Sequence, residues 1–283
     1  MAKILALVDG SQHYTESVID NTEYVARQLS ADVELIHVIG RRDLGSAPAD
    51  LSGNLDLGER DELLKELAEH DEKRAKLARK RGRLILSESA ERLRERGIEN
   101  VKDEVVLGDL LEAIEVREPG CDLIVIGKRG DAADFARMHL GSNVERIMRR
   151  AKAPVLISAR AFRPLHKVLV AYDGGQSILK ALDFLRSSPL LRRTHIEVVK
   201  ATSNASDPEL ERVCEDLKGA GLDACCRTLQ GDVEEAVIEE CDREDIDLVV
   251  VGASGHSRLR AFFVGSVTNE IVRKCMRPVL LFR

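Results

Sequence analysis

The sequence predicts an α/β protein made of two tandem, doubly wound domains, each on a five-stranded parallel sheet. Three observations lead there. Short β-branched runs alternate with amphipathic helical stretches along the chain, the order that yields parallel strands covered by helices on both faces. One glycine-punctuated segment is written twice: Val125-Ile126-Gly127-Lys128-Arg129-Gly130, Leu140-Gly141-Ser142 and Ala153-Pro154-Val155-Leu156-Ile157 recur as Val251-Gly252-Ala253-Ser254-Gly255, Val264-Gly265-Ser266 and Arg277-Pro278-Val279-Leu280-Leu281. The 283 residues then divide into halves of about 140, an ordinary domain size.

The elements follow in order. Lys3-Ile4-Leu5-Ala6-Leu7-Val8 is a strand-length apolar run stopped by Asp9-Gly10-Ser11, giving a strand over 3–8 and a helix over 14–29. A second strand spans 32–38. A loop from Gly40 to Gly58 precedes a charged helix over 59–96 that begins Glu59-Arg60-Asp61. In it Glu69 with Lys73 and Glu72 with Lys76 are favourable i,i+4 pairs, while Leu64, Ala68, Ala75 and Ala78 offer a thin apolar stripe. This reads as a solvated helix in preference to an arm for a partner, with Gly82 placed to break it before the Leu86, Ala90, Leu93 face. Strand 102–107, helix 109–118, strand 122–126, helix 142–151 and strand 154–158 complete the half. Ala159 to Pro164 read as a linker between domains 1–160 and 165–283.

The second half opens on Lys167-Val168-Leu169-Val170-Ala171-Tyr172-Asp173-Gly174-Gly175, an echo of the first strand and its Asp-Gly. A duplication accounts for the match. Strands are expected over 167–172, 194–200, 223–229, 247–251 and 278–282, with helices over 176–187, 208–220, 232–243 and 266–275. The link between its second and third strands is much shorter than in the first half.

A net charge of -6 provides no global electrostatic footprint for nucleic acid or an anionic membrane. No apolar run reaches the length of a membrane span, and Met1 leads at once into a core strand, so a cytoplasmic location is expected. The six cysteines lack C-x-x-C spacing and read as buried reduced thiols. The vicinal pair Cys225-Cys226 admits an oxidant-sensing reading, but neighbours in a strand face opposite sides, so two unrelated core thiols are the preferred reading. Arg146, Arg149, Arg150 and Lys152 gather toward a helix end, where the dipole favours cations. Ser177-x-x-Lys180 reads as helix surface.

The chemistry lies in the glycines. Gly252 and Gly255 let the chain turn tightly after a strand and bring backbone amides close to a polyphosphate, and Gly265-Ser266 falls where the next helix begins. One helix end contributes roughly 0.3–1 kcal/mol and up to about 2, against about 8 kcal/mol for micromolar binding. Several amides, a base pocket and a cation must therefore act together. The alternative is that these are ordinary strand-to-helix turns, with Ser142 and Ser266 as N-caps and Asp9 and Asp173 capping their own helices. Lys128 and Arg129 add charge in the first half, as His256, Arg258 and Arg260 do in the second, or are solvated surface.

With these residues in view, the chain resembles the universal stress protein family, whose pattern is G-x-x-G, nine residues, then G-[ST], after a first strand ending in Asp. The second half matches the spacing, and the first has ten residues between Gly130 and Gly141. The resemblance covers essentially the whole chain as two copies. It implies an adenine-nucleotide α-hydrolase-like sheet of order 3-2-1-4-5, in which the first and fourth strands meet at a switch point. It implies that Asp9 and Asp173 contact the nucleoside of ATP, that the strand ends at Val38 and Lys200 meet adenine through their backbone, and that Gly127, Gly130, Gly141, Ser142 and Asn143 line the phosphates, with Arg129 beside them. Gly252, Gly255, Gly265, Ser266 and Val267 take that role in the second half. Pairing of the fifth strands across an internal pseudo-twofold, and a homodimer of whole chains, are further implications.

The functional expectation is a stress protein that binds ATP, ADP or AMP, with or without Mg2+, and acts through the bound state. No G-x-x-x-x-G-K-[ST] loop, metal-ligand cluster or nucleophile elbow occurs in the sequence. A slow ATPase or adenylyl-transferring enzyme, and an interaction scaffold that binds no nucleotide, are the competing readings.

Overall fold

The computed structural model describes residues 2–40, 57–128, 140–204, 206–253 and 264–283. The first half runs β1 Lys3–Leu7, α1 Gln12–Leu29, β2 Asp32–Ile39, α2 Leu57–Glu95, β3 Val101–Leu107, α3 Leu110–Arg117, β4 Leu123–Gly127, α4 Ser142–Arg150 and β5 Val155–Ser158. The second runs β6 Lys167–Ala171, α5 Gln176–Ser187, a 3-10 turn Pro189–Leu191, β7 His195–Ala201, α6 Pro208–Gly219, β8 Asp223–Leu229, α7 Val233–Arg243, β9 Leu248–Gly252, α8 Ser266–Lys274 and β10 Val279–Phe282.

Both halves have the order 3-2-1-4-5, joined into one ten-stranded sheet β3-β2-β1-β4-β5-β10-β9-β6-β7-β8. Pairing is parallel within each half. The seam is antiparallel, with Ile157 opposite Val279, Leu156 opposite Leu280 and Val155 opposite Leu281. The fifth strands therefore meet as expected, around a pseudo-twofold near Leu156 and Leu280.

The central strands are apolar on both faces because helices cover both. Ile4, Ala6, Val168 and Val170 belong to one buried layer with residues of α1, α2, α5 and α6, and Leu5, Ile124, Val249 and Leu281 belong to the other with α3, α4, α7 and α8. Each layer runs through both halves. Tyr24 on α1 meets Phe162 in a tilted ring contact at 5.7 Å between centroids, tying the segment between β5 and β6 to the first half. Arg163 in that segment pairs with Asp245 at 2.9 Å.

The charged insert is one helix of 39 residues. Leu86, Ala90 and Leu93 are buried as expected, and the helix upstream of them is largely solvated. Gly82 does not break it. A Cβ there would lie 2.7 Å from Cδ2 of His37, so the glycine lets α2 settle onto β2. His37 has little room to yield, because its Nδ1 is 2.7 Å from the Val8 carbonyl.

Glycine to alanine inside a helix ordinarily gains about 1 kcal/mol. Here Gly82→Ala should instead lower stability by roughly 1 kcal/mol, as overpacking does, while in a His37→Ala background it should raise it. Urea unfolding of the four proteins in this cycle measures both signs.

Candidate functional site

In each half the first strand lies between the second and the fourth, so the chain leaves β1 and β4 toward opposite faces and a crevice opens beyond their carboxyl ends. In the first half this crevice has a volume of about 1440 Å³ and is lined by Asp9, Val38, Gly127, Gly141, Ser142 and Asn143, all named from sequence. A ligand pocket of ~300–1,000 Å³ is usual, so this open groove can hold a small molecule with room to spare. Arg129 and Gly130 fall outside the described residues.

Asp9 sits on a turn it helps to build. Its Oδ1 accepts from the Ser11 amide at 3.0 Å and the Ser11 hydroxyl at 2.8 Å, across Gly10 at φ +84°. Asp173 repeats this with the Gly175 amide at 2.9 Å across Gly174 at φ +72°. Only glycine holds that left-handed backbone without strain. Both aspartates thus brace the turn ahead of the helix instead of capping the helix itself.

The N-caps of α4 and α8 are Gly141 and Gly265, neither with a side-chain cap, and Ser142 and Ser266 are the first helical residues. The capping role considered for the two serines is therefore incorrect. Gly141 N already donates to the Lys128 carbonyl at 3.3 Å, and Gly265 N to Ala253 at 2.8 Å. The amides of Ser142, Asn143 and Val144 come next, and α-helix geometry leaves them no acceptor within the helix. They and the positive dipole end face the crevice, a setting that favours an anion.

Lys128 does not line the crevice. It is buried at 6% exposure and its Nζ donates to the Cys275 carbonyl, beyond the end of α8, so the charge is spent on the seam. Arg146, grouped in sequence with cations at a helix end, lies mid-helix and its Nη2 reaches Oδ2 of Asp109 at 2.5 Å. Asp109 caps α3 through the Leu111 amide at 2.8 Å. The Arg146 guanidinium, with the cap bonds, holds the Asp109 carboxyl below the usual carboxylate range.

Gly108, Asp109, Arg146, His37, Arg74, Leu77 and Arg81 also line the crevice and were missed from sequence. A signal for two of them was present: Gly108-Asp109 recurs as Gly231-Asp232, with φ of +131° and +100° and an aspartate capping the next helix in both copies. Arg74, Leu77 and Arg81 come from α2, which has no counterpart of that length in the second half.

The second half differs where its crevice would open. Tyr172 stands where the first half has Val8, and it is buried, its hydroxyl donating to Glu209 at 2.7 Å. Lys200 bonds Asp207 at 2.6 Å and Glu209 at 3.0 Å and lies 5.6 Å from the Tyr172 ring centroid. Burial, then the Glu209 hydrogen bond, pushes the Tyr172 hydroxyl up, and that bond with Lys200 holds the Glu209 carboxyl down. Lys200 is aligned with His37 and not with Val38, since Leu7 pairs with Ile36 as Ala171 pairs with Val199.

Gly252 has a packing duty: a Cβ on it would sit 3.1 Å from the Ile178 amide and 3.2 Å from Ser177 Cβ. Ser177 is accordingly buried at 5% exposure, contrary to its surface reading. Ser266 is exposed at the start of α8, and Val267 packs against the apolar layer. Gly255, His256, Arg258 and Arg260 fall outside the described residues. No helix among the described residues is long and apolar enough to cross a membrane.

Fold and crevice together define a duplicated, doubly wound α/β protein with an open switch-point groove in its first half. The model of the Universal stress protein family matches residues 1–159 and 191–283, and the chain belongs to that family. Universal stress protein Slr1230 of Synechocystis sp. is 35% identical over 291 residues, covering 100% of both proteins. A crystal structure of a universal stress protein from Archaeoglobus fulgidus has a TM-score of 0.69 at 19% identity, over 99% of this chain and 97% of that one. Another from Pseudomonas aeruginosa has a TM-score of 0.63 at 18% identity, over 99% and 92%. These two share the fold.

Because Asp109 is held below its ordinary value, the stability it provides is full above the unfolded carboxylate pKa of about 3.9 and is lost as pH falls through the lower folded value. Asp109→Ala should lower the melting temperature at pH 7 through loss of a cap worth about 1 kcal/mol. The gap to the wild type should persist to about pH 5 and close below about pH 4. Thermal melts across that range measure it.

Proposed function

We propose that the first-half crevice binds an adenine nucleotide, ATP or its ADP and AMP relatives, with Mg2+ accompanying the phosphates, and that the protein serves the stress response through this bound state and not through turnover. The observation that carries the proposal is the start of α4, whose Ser142, Asn143 and Val144 amides lie beside Gly127 at the rim of an open groove. An anion at one helix end gains only about 0.3–1 kcal/mol, rarely 2, so the phosphates alone do not hold the ligand. The base and sugar supply the rest, between Val38 and the ends of β1 and β2 on one side and Leu77 of α2 on the other. Arg74 and Arg81 bring positive charge to the same groove, which Asp9, Asp109 and Glu112 also line. The choice of adenine rests on the family resemblance.

The second half then acts as a partner that holds no nucleotide. Tyr172, held by Glu209 and covered by Lys200, stands at the position of Val8 in the first half. The working units are residues 1–160 and 165–283, in the cytoplasm. Homodimerisation of whole chains, if it adds to function, uses a surface other than the fifth strands, which already pair within the chain.

The test is calorimetry of ATP binding to the nucleotide-stripped full chain. Ser142→Glu puts an acid at a position that suits a helix start but opposes phosphate, and should weaken binding at least tenfold with the melting temperature preserved. Ser266→Glu should leave affinity unchanged. Equal effects of the two substitutions would contradict the assignment, and no heat from the wild type would leave the scaffold reading.

A further inference from the structure

On the outer pair of strands in the second half, three chemically linked side chains share one face. His195 opens β7 and pairs in register with Asp223 of β8, and Cys225 lies two residues further along β8. The period of two in a strand keeps Asp223 and Cys225 on the same side, and the diagonal neighbour in a sheet is within reach of a ring. His195 Nδ1 is 2.9 Å from Asp223 Oδ2, and His195 Nε2 is 3.3 Å from Cys225 Sγ. An ionised carboxylate only accepts, so Asp223 fixes the proton on Nδ1 and turns the lone pair of Nε2 toward the thiol. The trio is reachable: the His195 side chain is 39% exposed, Asp223 76%, and Cys225 partly exposed.

The first half has no such set. The matching positions, read from the strand registers, hold Asp32, Asn100 and Lys102, where Asn100 Nδ2 donates to Asp32 at 2.9 Å. The trio is therefore not a requirement of the fold. Among the described residues no group of three or more His, Cys, Asp or Glu is arranged to hold a metal.

We propose that Asp223, His195 and Cys225 form a thiol-activating relay, and that Cys225 is a site of reversible mixed-disulfide formation with small disulfides of the oxidised-glutathione class. Cys225 Sγ attacks one sulfur of the small disulfide. The Cys225–ligand S–S bond forms as the ligand's own S–S bond breaks, and the departing half leaves as a thiolate. The Cys225 proton passes to His195 Nε2 and then to that thiolate. Cys225 is oxidised and one ligand thiol is released reduced, so atoms and electrons balance.

The surroundings make the base necessary. Burial first, then Glu197, push the Cys225 thiol up, with Cys214 and Asp223 adding to this and Arg227 opposing it. The thiol is thus protonated near neutral pH and relies on an adjacent acceptor, as a triad serine does. Three other thiols are closed to a bulky reagent. Cys214, Cys241 and Cys275 are buried, and although Cys275 is brought down to about 7, chiefly by its hydrogen bond with Cys241, it is 1% exposed. Cys226 packs against the apolar layer on the opposite face, beside Cys214.

The full-length wild type, treated with oxidised glutathione and followed by intact mass and peptide mapping, should gain its first adduct at Cys225. His195→Ala should slow that step at least tenfold, and Asp223→Asn should slow it less. Reduced dithiol should remove the adduct. First modification at Cys121, Cys226 or Cys275 overturns the proposal in the wild type alone, and so does a folded His195→Gln variant that reacts at the wild-type rate.

Discussion

The rest of the molecule depends on the antiparallel pairing of β5 with β10. Val155, Leu156 and Ile157 meet Leu281, Leu280 and Val279 in short strands that are apolar on both sides, so the seam both continues the sheet and joins the two buried layers. With fifth strands left bare, each half would expose an apolar sheet edge, a template for unwanted pairing. The seam also sets direction. Because the two halves run antiparallel across it, the carboxyl ends of their strands, and the ground where a ligand can bind, lie at opposite ends of the strands. Lys128 and Arg283 reinforce the joint by reaching the carbonyls of Cys275 and Arg149 in the other half.

Within that frame the two copies have kept their turns and changed their contents. Asp-Gly after the first strand, Gly-Asp after the third and Gly-Ser before the last helix recur with the same backbone duties. What surrounds them has diverged. The first half has Val8, His37 and the long α2 over its groove, while the second has Tyr172, Lys200 and a helix that begins soon after β7, with Asp207 and Glu209 bound to Lys200 and Glu209 to Tyr172. At the position of Arg146 the second half has Glu270, paired with Arg273 and Lys274, reversing the charge at that point of the helix. One turn chemistry is thus kept beside two different sets of side chains.

Most of the fold was legible because its determinants are local. Strand-length apolar runs, the doubled glycines and the Asp-Gly stops each act within a few residues, and the strand order follows once the duplication is tied to its family. The site was legible where backbone makes it, at Asp9, Gly127 and Gly141 to Asn143. It was not legible where distant side chains complete it. Arg74 and Arg81 reach the groove only because Gly82 lets α2 lie against His37, a contact between residues 45 positions apart in sequence. Lys128 read by position as added charge near the crevice or as solvated surface, yet tertiary packing turned it into the seam. Cys225 was expected in the core, whereas the register of β7 and β8 brings it to an imidazole at the sheet's edge.

The central proposal is that the first-half groove alone takes nucleotide, the side chains around the repeated turns having diverged in the second half. Native mass spectrometry of the full chain titrated with ATP tests it most directly. The account predicts that bound nucleotide saturates at one per chain. Saturation at two, or no bound nucleotide at millimolar ATP, would contradict it.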